Sequence, residues 1–119
     1  MSISTEQQAL ILLNQLRQEL KSLTLWQSSR PSLLAMASTL PFHYDTLTFE
    51  QWLQFIFIER ISLLIDNKQP LPSKILLLPM AEESFTKLGN QADKLLDVIG
   101  QFDSLFLSSS DFQVETFND

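Results

Sequence analysis

The segment from residue 41 to residue 72 constrains the fold of this chain most strongly, because it contains a helix whose start is specified twice. Thr48 and Gln51 have the spacing of a capping box, in which each side chain accepts a hydrogen bond from a backbone N–H group that the helix leaves free. Leu47 and Trp52 have the spacing of a hydrophobic staple across the same helix start. We therefore expect this helix to be the centre of the fold.

The central helix is predicted to run from Phe49 to about Asp66, with apolar side chains around most of its circumference. Arg60 lies one helical turn from Ile56 and from Leu64, so its charge is carried on the apolar side of the helix. Such a cation must either extend to water or find an acidic partner. The candidate acids are Asp45, Glu50 and Asp103.

Three further helices are predicted from apolar residues that recur at steps of three and four. The first runs from about residue 5 to residue 26, with Ser4 or Thr5 as its N-cap. The third is favoured from about residue 79 to residue 88, with the run at 75–78 either a short buried extended piece or the front of this helix. Asn90 is expected to cap the fourth. No alternation typical of strands persists, and four amphipathic helices closing on one another bury these apolar faces most simply.

A long connection joins the first two helices, and its apolar residues predict that it is ordered. One short helical turn is expected at residues 32–37. After the central helix, Asn67 is expected in the left-handed conformation, and Pro70 prevents the helix from continuing. The expected anchors of the long connection are Leu33, Leu34, Met36, Phe42 and Leu47.

The predicted fold is thus all-α, an antiparallel four-helix bundle with a long ordered connection between the first and second helices. Its 119 residues fit one domain, which we place at residues 1–108. Residues 109–119 are polar and acidic and are expected to form a frayed tail.

Composition limits the function of this chain. The net charge is −6 and the eight basic residues are scattered, so direct binding to nucleic acid is not expected. Cysteine is absent, which excludes disulfides and thiolate metal sites. The amino terminus lacks a signal-peptide pattern, and no apolar run approaches the roughly 18 residues of a membrane span. We therefore expect a cytoplasmic protein.

Candidate catalytic groups are few. His43 is the one histidine, and Asp45 is close enough in sequence to orient it. However, there is no second histidine for a metal, no cysteine and no serine in a nucleophile turn. Two pairs of neighbouring acidic residues are most simply explained as charges on solvated helix faces. The sequence thus predicts no catalytic residue, cofactor or metal site. These paired acids are Glu82 with Glu83 and Asp93 with Asp97.

The chain resembles the YqcC-like family of small uncharacterised bacterial proteins. Trp26, the PFHYD segment at 41–45, the WLQ segment at 52–54 and the DNKQPLP segment at 66–72 carry this resemblance. The resemblance implies an all-α, four-helix bundle described as bromodomain-like. In that family the gene tends to lie beside that of a tRNA pseudouridine synthase, which implies an association and not an activity. Glu59 stands where the family often has proline, so we expect the central helix to run straight.

Two functions follow from these observations. The preferred one is a noncatalytic adaptor that contacts a tRNA pseudouridine synthase, because a rigid polar loop bounded by prolines suits recognition better than folding. The alternative is a small-ligand pocket between helices, with Arg60, Tyr44 and Asp45 as its polar contacts. The residues assigned to the interaction surface are Phe42, Tyr44, Asp45, Arg60, Asp66, Asn67, Lys68 and Gln69.

Overall fold

The computed structural model describes residues 3–73 and 75–118, with side chains as far as Ser108, and within these ranges it contains no strand. The all-α class is confirmed. The antiparallel, bromodomain-like four-helix arrangement stays a prediction. The side chains of the tail at 109–119 lie outside the described part, so its fraying also stays a prediction. The helices are α1 (Thr5–Ser22), α2 (Leu33–Met36), α3 (Phe49–Trp52), α4 (Ile58–Asp66), α5 (Leu78–Ser84) and α6 (Asp93–Asn118).

Helix α1 begins with a capping box, in which Ser4 Oγ accepts from the Gln7 N–H at 3.1 Å and Gln7 Oε1 accepts from the Ser4 N–H at 2.9 Å. The helix ends at Ser22, so the expected end near Trp26 is wrong. Thr24 adopts a positive φ of 58°, and the Leu25 N–H donates to the Leu20 carbonyl at 2.8 Å. This reversal ends the helix, and the side chains of Leu25 and Trp26 that follow it pack against the core.

The capping box at the start of α3 is confirmed. Thr48 Oγ1 accepts from the Gln51 N–H at 3.2 Å, and Gln51 Oε1 accepts from the Thr48 N–H at 2.8 Å. Helices α3 and α4 are joined without interruption by a π turn at Leu53–Phe57, which the expected straight helix did not include. Together these elements form the central helix, which is most fully enclosed at the π turn.

The segment after the central helix differs from the predicted third helix, which was expected at residues 79–88. Helix α5 is shorter and is followed by a 3₁₀ turn at Thr86–Ala92. Gly89 lies within this turn at φ 56° and ψ −135°, a conformation that interrupts any regular helix. Helix α6 therefore begins at Asp93, and Asn90 is not its cap.

The core lies where the central helix faces α6, and aromatic rings connect the two. Ring centroids are 5.7 Å apart for Phe49 and Trp52, 5.6 Å for Trp52 and Phe57, and 5.0 Å for Phe57 and Phe102. Helix α1 packs chiefly against α6 and also contacts α4. The connection from 23 to 48 packs on the core through Leu47, Trp26 and Phe42 and exposes most of its other side chains.

Candidate functional site

Helix α2 is a single turn held by side chains on both of its ends. Ser32 Oγ accepts from the Ala35 N–H at 3.1 Å, which caps the start of the turn. At its end, Thr46 Oγ1 donates to the Ala35 carbonyl at 2.6 Å, and His43 Nε2 lies 3.1 Å from the Met36 carbonyl oxygen. These contacts fix α2 against the loop at residues 41–47. The short helical turn predicted at residues 32–37 is confirmed.

The two leucines of α2 point away from the protein. Leu33 is 90% exposed and Leu34 is 84% exposed, so their prediction as core anchors is wrong. The reason is geometric, because Ala35 and Met36 occupy the inward side of the turn and are half-buried against the core. We call α2 with its two exposed leucines the leucine turn.

The loop at residues 41–47 is anchored by Phe42 and Leu47, as predicted. The Phe42 ring makes an edge contact with Trp52, with centroids 4.9 Å apart. Phe42 and His43 both have positive φ, 55° and 51°. Each such residue stores on the order of 1–3 kcal/mol of strain, which the packing of Phe42 and the hydrogen bond of His43 offset.

The pairing of His43 with Asp45 that catalysis would need is not formed. Asp45 Oδ1 accepts instead from Ser38 Oγ at 2.6 Å. His43 Nδ1 is buried without a hydrogen-bond partner in the described part of the chain. Tyr44 is 62% exposed. These side chains therefore stabilise the loop or face solvent, and they do not form an acid–base pair.

An ion pair ties the long connection to α4. The Arg30 guanidinium donates to both carboxylate oxygens of Glu59, at 2.7 Å and 2.8 Å, and lies over the Phe55 ring at 5.7 Å from its centroid. The hydrogen bond from Arg30 lowers the pKa of Glu59 below its usual value. The stabilisation that this pair gives is therefore present at neutral pH and is lost as the pH falls through the lowered pKa. Both side chains are about half exposed, so the effect on stability is small.

Arg60 is exposed, and no acidic side chain pairs with it among residues 3–73 and 75–108. The three predicted acidic partners are therefore wrong. Asp45 accepts from Ser38, Asp103 accepts from backbone N–H groups, and Glu50 makes no contact with Arg60. Arg60 extends to water between two shallow grooves of about 390 Å³ and about 410 Å³.

The loop that leaves α4 is exposed from Asp66 to Pro70. The left-handed residue is Lys68, with φ 55°, and not Asn67, which has φ −95°. The prediction failed by one residue because the Asn67 N–H still bonds to the Leu63 carbonyl and so extends the helix end. The loop reverses at Lys68 and is closed by the Gln69 N–H, which donates to the Leu64 carbonyl at 2.8 Å.

The structure brings only part of the predicted surface together. Arg60 lines one groove with Phe42 and the other with Asn67. The ligand pocket of the alternative reading needs Arg60, Tyr44 and Asp45 in one cavity, and these two grooves do not combine them. The predicted surface residues that line neither groove are Tyr44, Asp45, Asp66, Lys68 and Gln69.

One buried polar residue near this surface was missed by the sequence reasoning. Gln54, 5% exposed, accepts from the Gln27 N–H at 2.9 Å and donates to the Gln27 carbonyl at 2.8 Å. It thereby holds the start of the long connection against the π turn. Its position as an amide within an apolar helix was the signal that could have revealed it, because buried amides are paired.

The described residues contain no cluster of three or more potential metal ligands. Within the same residues, no helix combines the length and the hydropathy needed to cross a bilayer. The side chains around the two grooves offer apolar contact and the exposed cation of Arg60.

Comparison with known proteins identifies relatives. A family profile described as "tRNA pseudouridine synthase C" matches residues 8–105. An uncharacterised protein of Haemophilus influenzae is 38% identical over 84 residues, which cover 71% of this chain and 78% of that protein. The uncharacterised protein YqcC of Escherichia coli is 35% identical over 81 residues, which cover 68% of this chain and 74% of YqcC.

A third relative is longer. A Pectobacterium carotovorum protein named tRNA pseudouridine synthase C is 36% identical over 70 residues, which cover 59% of this chain and 19% of that protein. The solution structure of YqcC from E. coli superposes with a TM-score of 0.78 at 30% identity, covering 88% of this chain and 90% of that one. Shared sequence and shared fold agree across most of the chain, and it therefore belongs to the YqcC-like family.

Proposed function

We propose that this protein is a noncatalytic accessory protein of a tRNA pseudouridine synthase. The observation that carries this proposal is the relative in which a matching segment makes up 19% of a longer protein named tRNA pseudouridine synthase C. Within that longer protein, the matching segment is held beside the rest of the chain at a high effective concentration. A separate chain such as this one needs a contact surface to reach the enzyme.

The environment of the polar side chains supports a noncatalytic role. His43, Asp45 and Asp103 each bind backbone or a neighbouring side chain, and none is paired for proton transfer. The net charge of −6 opposes direct contact with tRNA phosphates, so this chain would act through the enzyme and not on the RNA itself. A partner that modifies tRNA would place both proteins in the cytoplasm.

The proposed contact region is the side of the molecule that carries the loop at 41–47 and the loop at 66–70. Arg60 and Asn67 support this assignment, because both line one groove with Met36 of the leucine turn. Tyr44, Asp45, Lys68 and Gln69 surround this side as exposed polar or aromatic groups.

Co-purification tests the proposal. The wild-type chain is expected to bind the tRNA pseudouridine synthase C of the same organism. The triple variant Asn67→Ala, Lys68→Ala, Gln69→Ala should bind at least about tenfold more weakly, as expected when interface side chains each contribute near 1 kcal/mol. Its thermal midpoint should not change, because all three side chains are exposed.

A matched control replaces three exposed residues on and just after α5, Glu82, Glu83 and Lys87, by alanine. This variant should bind like the wild type. The proposal is wrong if the wild-type chain shows no affinity for the synthase.

A further inference from the structure

The leucine turn carries the two most exposed large apolar side chains in the described part of the chain, Leu33 at 90% and Leu34 at 84%. Other exposed apolar residues of this kind stay lower, and Leu10 and Ile11 of α1 are exposed at 48% and 49%. Two adjacent leucines in water contribute almost nothing to the core, although each could gain about 1.5–3 kcal/mol if it were buried. Paired apolar exposure of this degree is typical of a contact site.

The backbone beneath these leucines is fixed before any partner arrives. Ser32 caps the turn, and Thr46 and His43 bind the carbonyl groups of Ala35 and Met36. On the amino-terminal side, Arg30 also contacts α4 through its bidentate pair with Glu59, an exposed contact that adds little. A partner that binds the leucines therefore loses little free energy in ordering the turn, which is how a small apolar contact becomes an effective anchor.

The net charge of the chain indicates the chemistry of the partner. Near the turn the charges balance, because Arg30 is paired with Glu59 and the exposed Asp45 and Arg60 carry one charge of each sign. The whole chain carries −6. An enzyme that holds tRNA must present Lys and Arg to phosphates, so its surface is complementary to this chain in charge.

We propose, on the basis of the function above, that the leucine turn is the docking anchor of this chain. Leu33 and Leu34 enter an apolar cleft on the tRNA pseudouridine synthase, and a basic side chain beside that cleft binds the Asp45 carboxylate. Arg60, across the groove lined by Met36, then meets an acidic residue of the same partner.

The test compares two double variants of the full chain for binding to the synthase by calorimetry. Leu33→Ser with Leu34→Ser should weaken binding by about 30-fold or more, because buried anchors dominate interface energies. The matched control, Leu10→Ser with Ile11→Ser, removes similar exposed apolar groups from α1 and should bind like the wild type. The thermal midpoint of the variant at 33 and 34 should stay close to that of the wild type, whereas that of the control should fall moderately, because Leu10 and Ile11 are about half buried.

Three results would overturn the inference. If the variant at 33 and 34 binds like the wild type while the wild type binds the synthase, the leucine turn is not the anchor, although the accessory function stands. If that variant instead changes only the oligomeric state of this chain, measured by sedimentation, the turn contacts a second copy. If the wild type does not bind the synthase at all, the accessory function and this docking site both fail.

Discussion

Buried polar side chains hold distant segments of this protein together. Asp103, 8% exposed, receives hydrogen bonds from the N–H groups of Leu77 and Leu78, both at 2.8 Å. Two free N–H groups at the start of α5 are thereby satisfied by a carboxylate from α6. Gln54 acts in the same way on the backbone of Gln27.

Replacement of Asp103 by alanine should lower the free energy of unfolding by about 2–4 kcal/mol, because two buried N–H groups lose a charged acceptor. Urea denaturation monitored by circular dichroism measures this loss. The control is Asp97→Ala, which removes an equal charge from the exposed side of the same helix and should cost below about 0.5 kcal/mol. Equal losses for the two variants would show that Asp103 is not a structural acceptor.

The sequence predicted the capping box but neither the role of Asp103 nor the exposure of Leu33, because only the capping box depends on residues close in sequence. A capping box is local, so Thr48 and Gln51 could be paired from their spacing alone. Asp103 acts across 26 residues and Leu33 is exposed by the orientation of a single turn, and neither depends on local periodicity. The apolar side chain of Leu33 favoured burial, but Ala35 and Met36 pack against the core instead and leave Leu33 exposed.

At the scale of elements, the two glycines have opposite roles. Gly89 has a positive φ of 56°, which interrupts the 3₁₀ turn between α5 and α6. Gly100 lies inside α6, where an added Cβ would meet Leu78 Cδ2 at 3.6 Å, an ordinary contact distance. This spacing leaves room for a Cβ, so Gly100 is not required by a close approach between helices.

Gly89→Ala should destabilise the protein by about 1–3 kcal/mol, because alanine is strained at this positive φ. No neighbouring atom lies within 4 Å of the added Cβ, so a clash does not contribute. Gly100→Ala should stabilise it by up to about 1 kcal/mol through helix propensity. Thermal unfolding of the two variants beside the wild type checks both signs. A stabilised Gly89→Ala protein would contradict the role assigned to the turn.

Element starts and ends differed in how well they could be predicted. The central helix was predicted at residues 49–66 and occupies them, because its start signals and apolar pattern lie within the element itself. The end of α1, the residue of reversal after α4 and the length of α5 were missed. The end of α1 depends on which following side chains pack against the core, and the reversal after α4 depends on which N–H group still bonds within the helix. Neither is set by local propensity alone.

At the scale of the whole molecule, charge should govern how quickly the protein finds its proposed partner. The chain carries −6, and an enzyme that binds tRNA is expected to be basic, so attraction should steer their encounter. The association rate constant, measured by stopped-flow fluorescence of a labelled synthase, should fall on the order of tenfold between about 0.05 M and 0.5 M salt. The dissociation rate should change much less, because the apolar leucine turn is not screened. An association rate that stays constant or rises with salt would contradict an encounter driven by opposite charges.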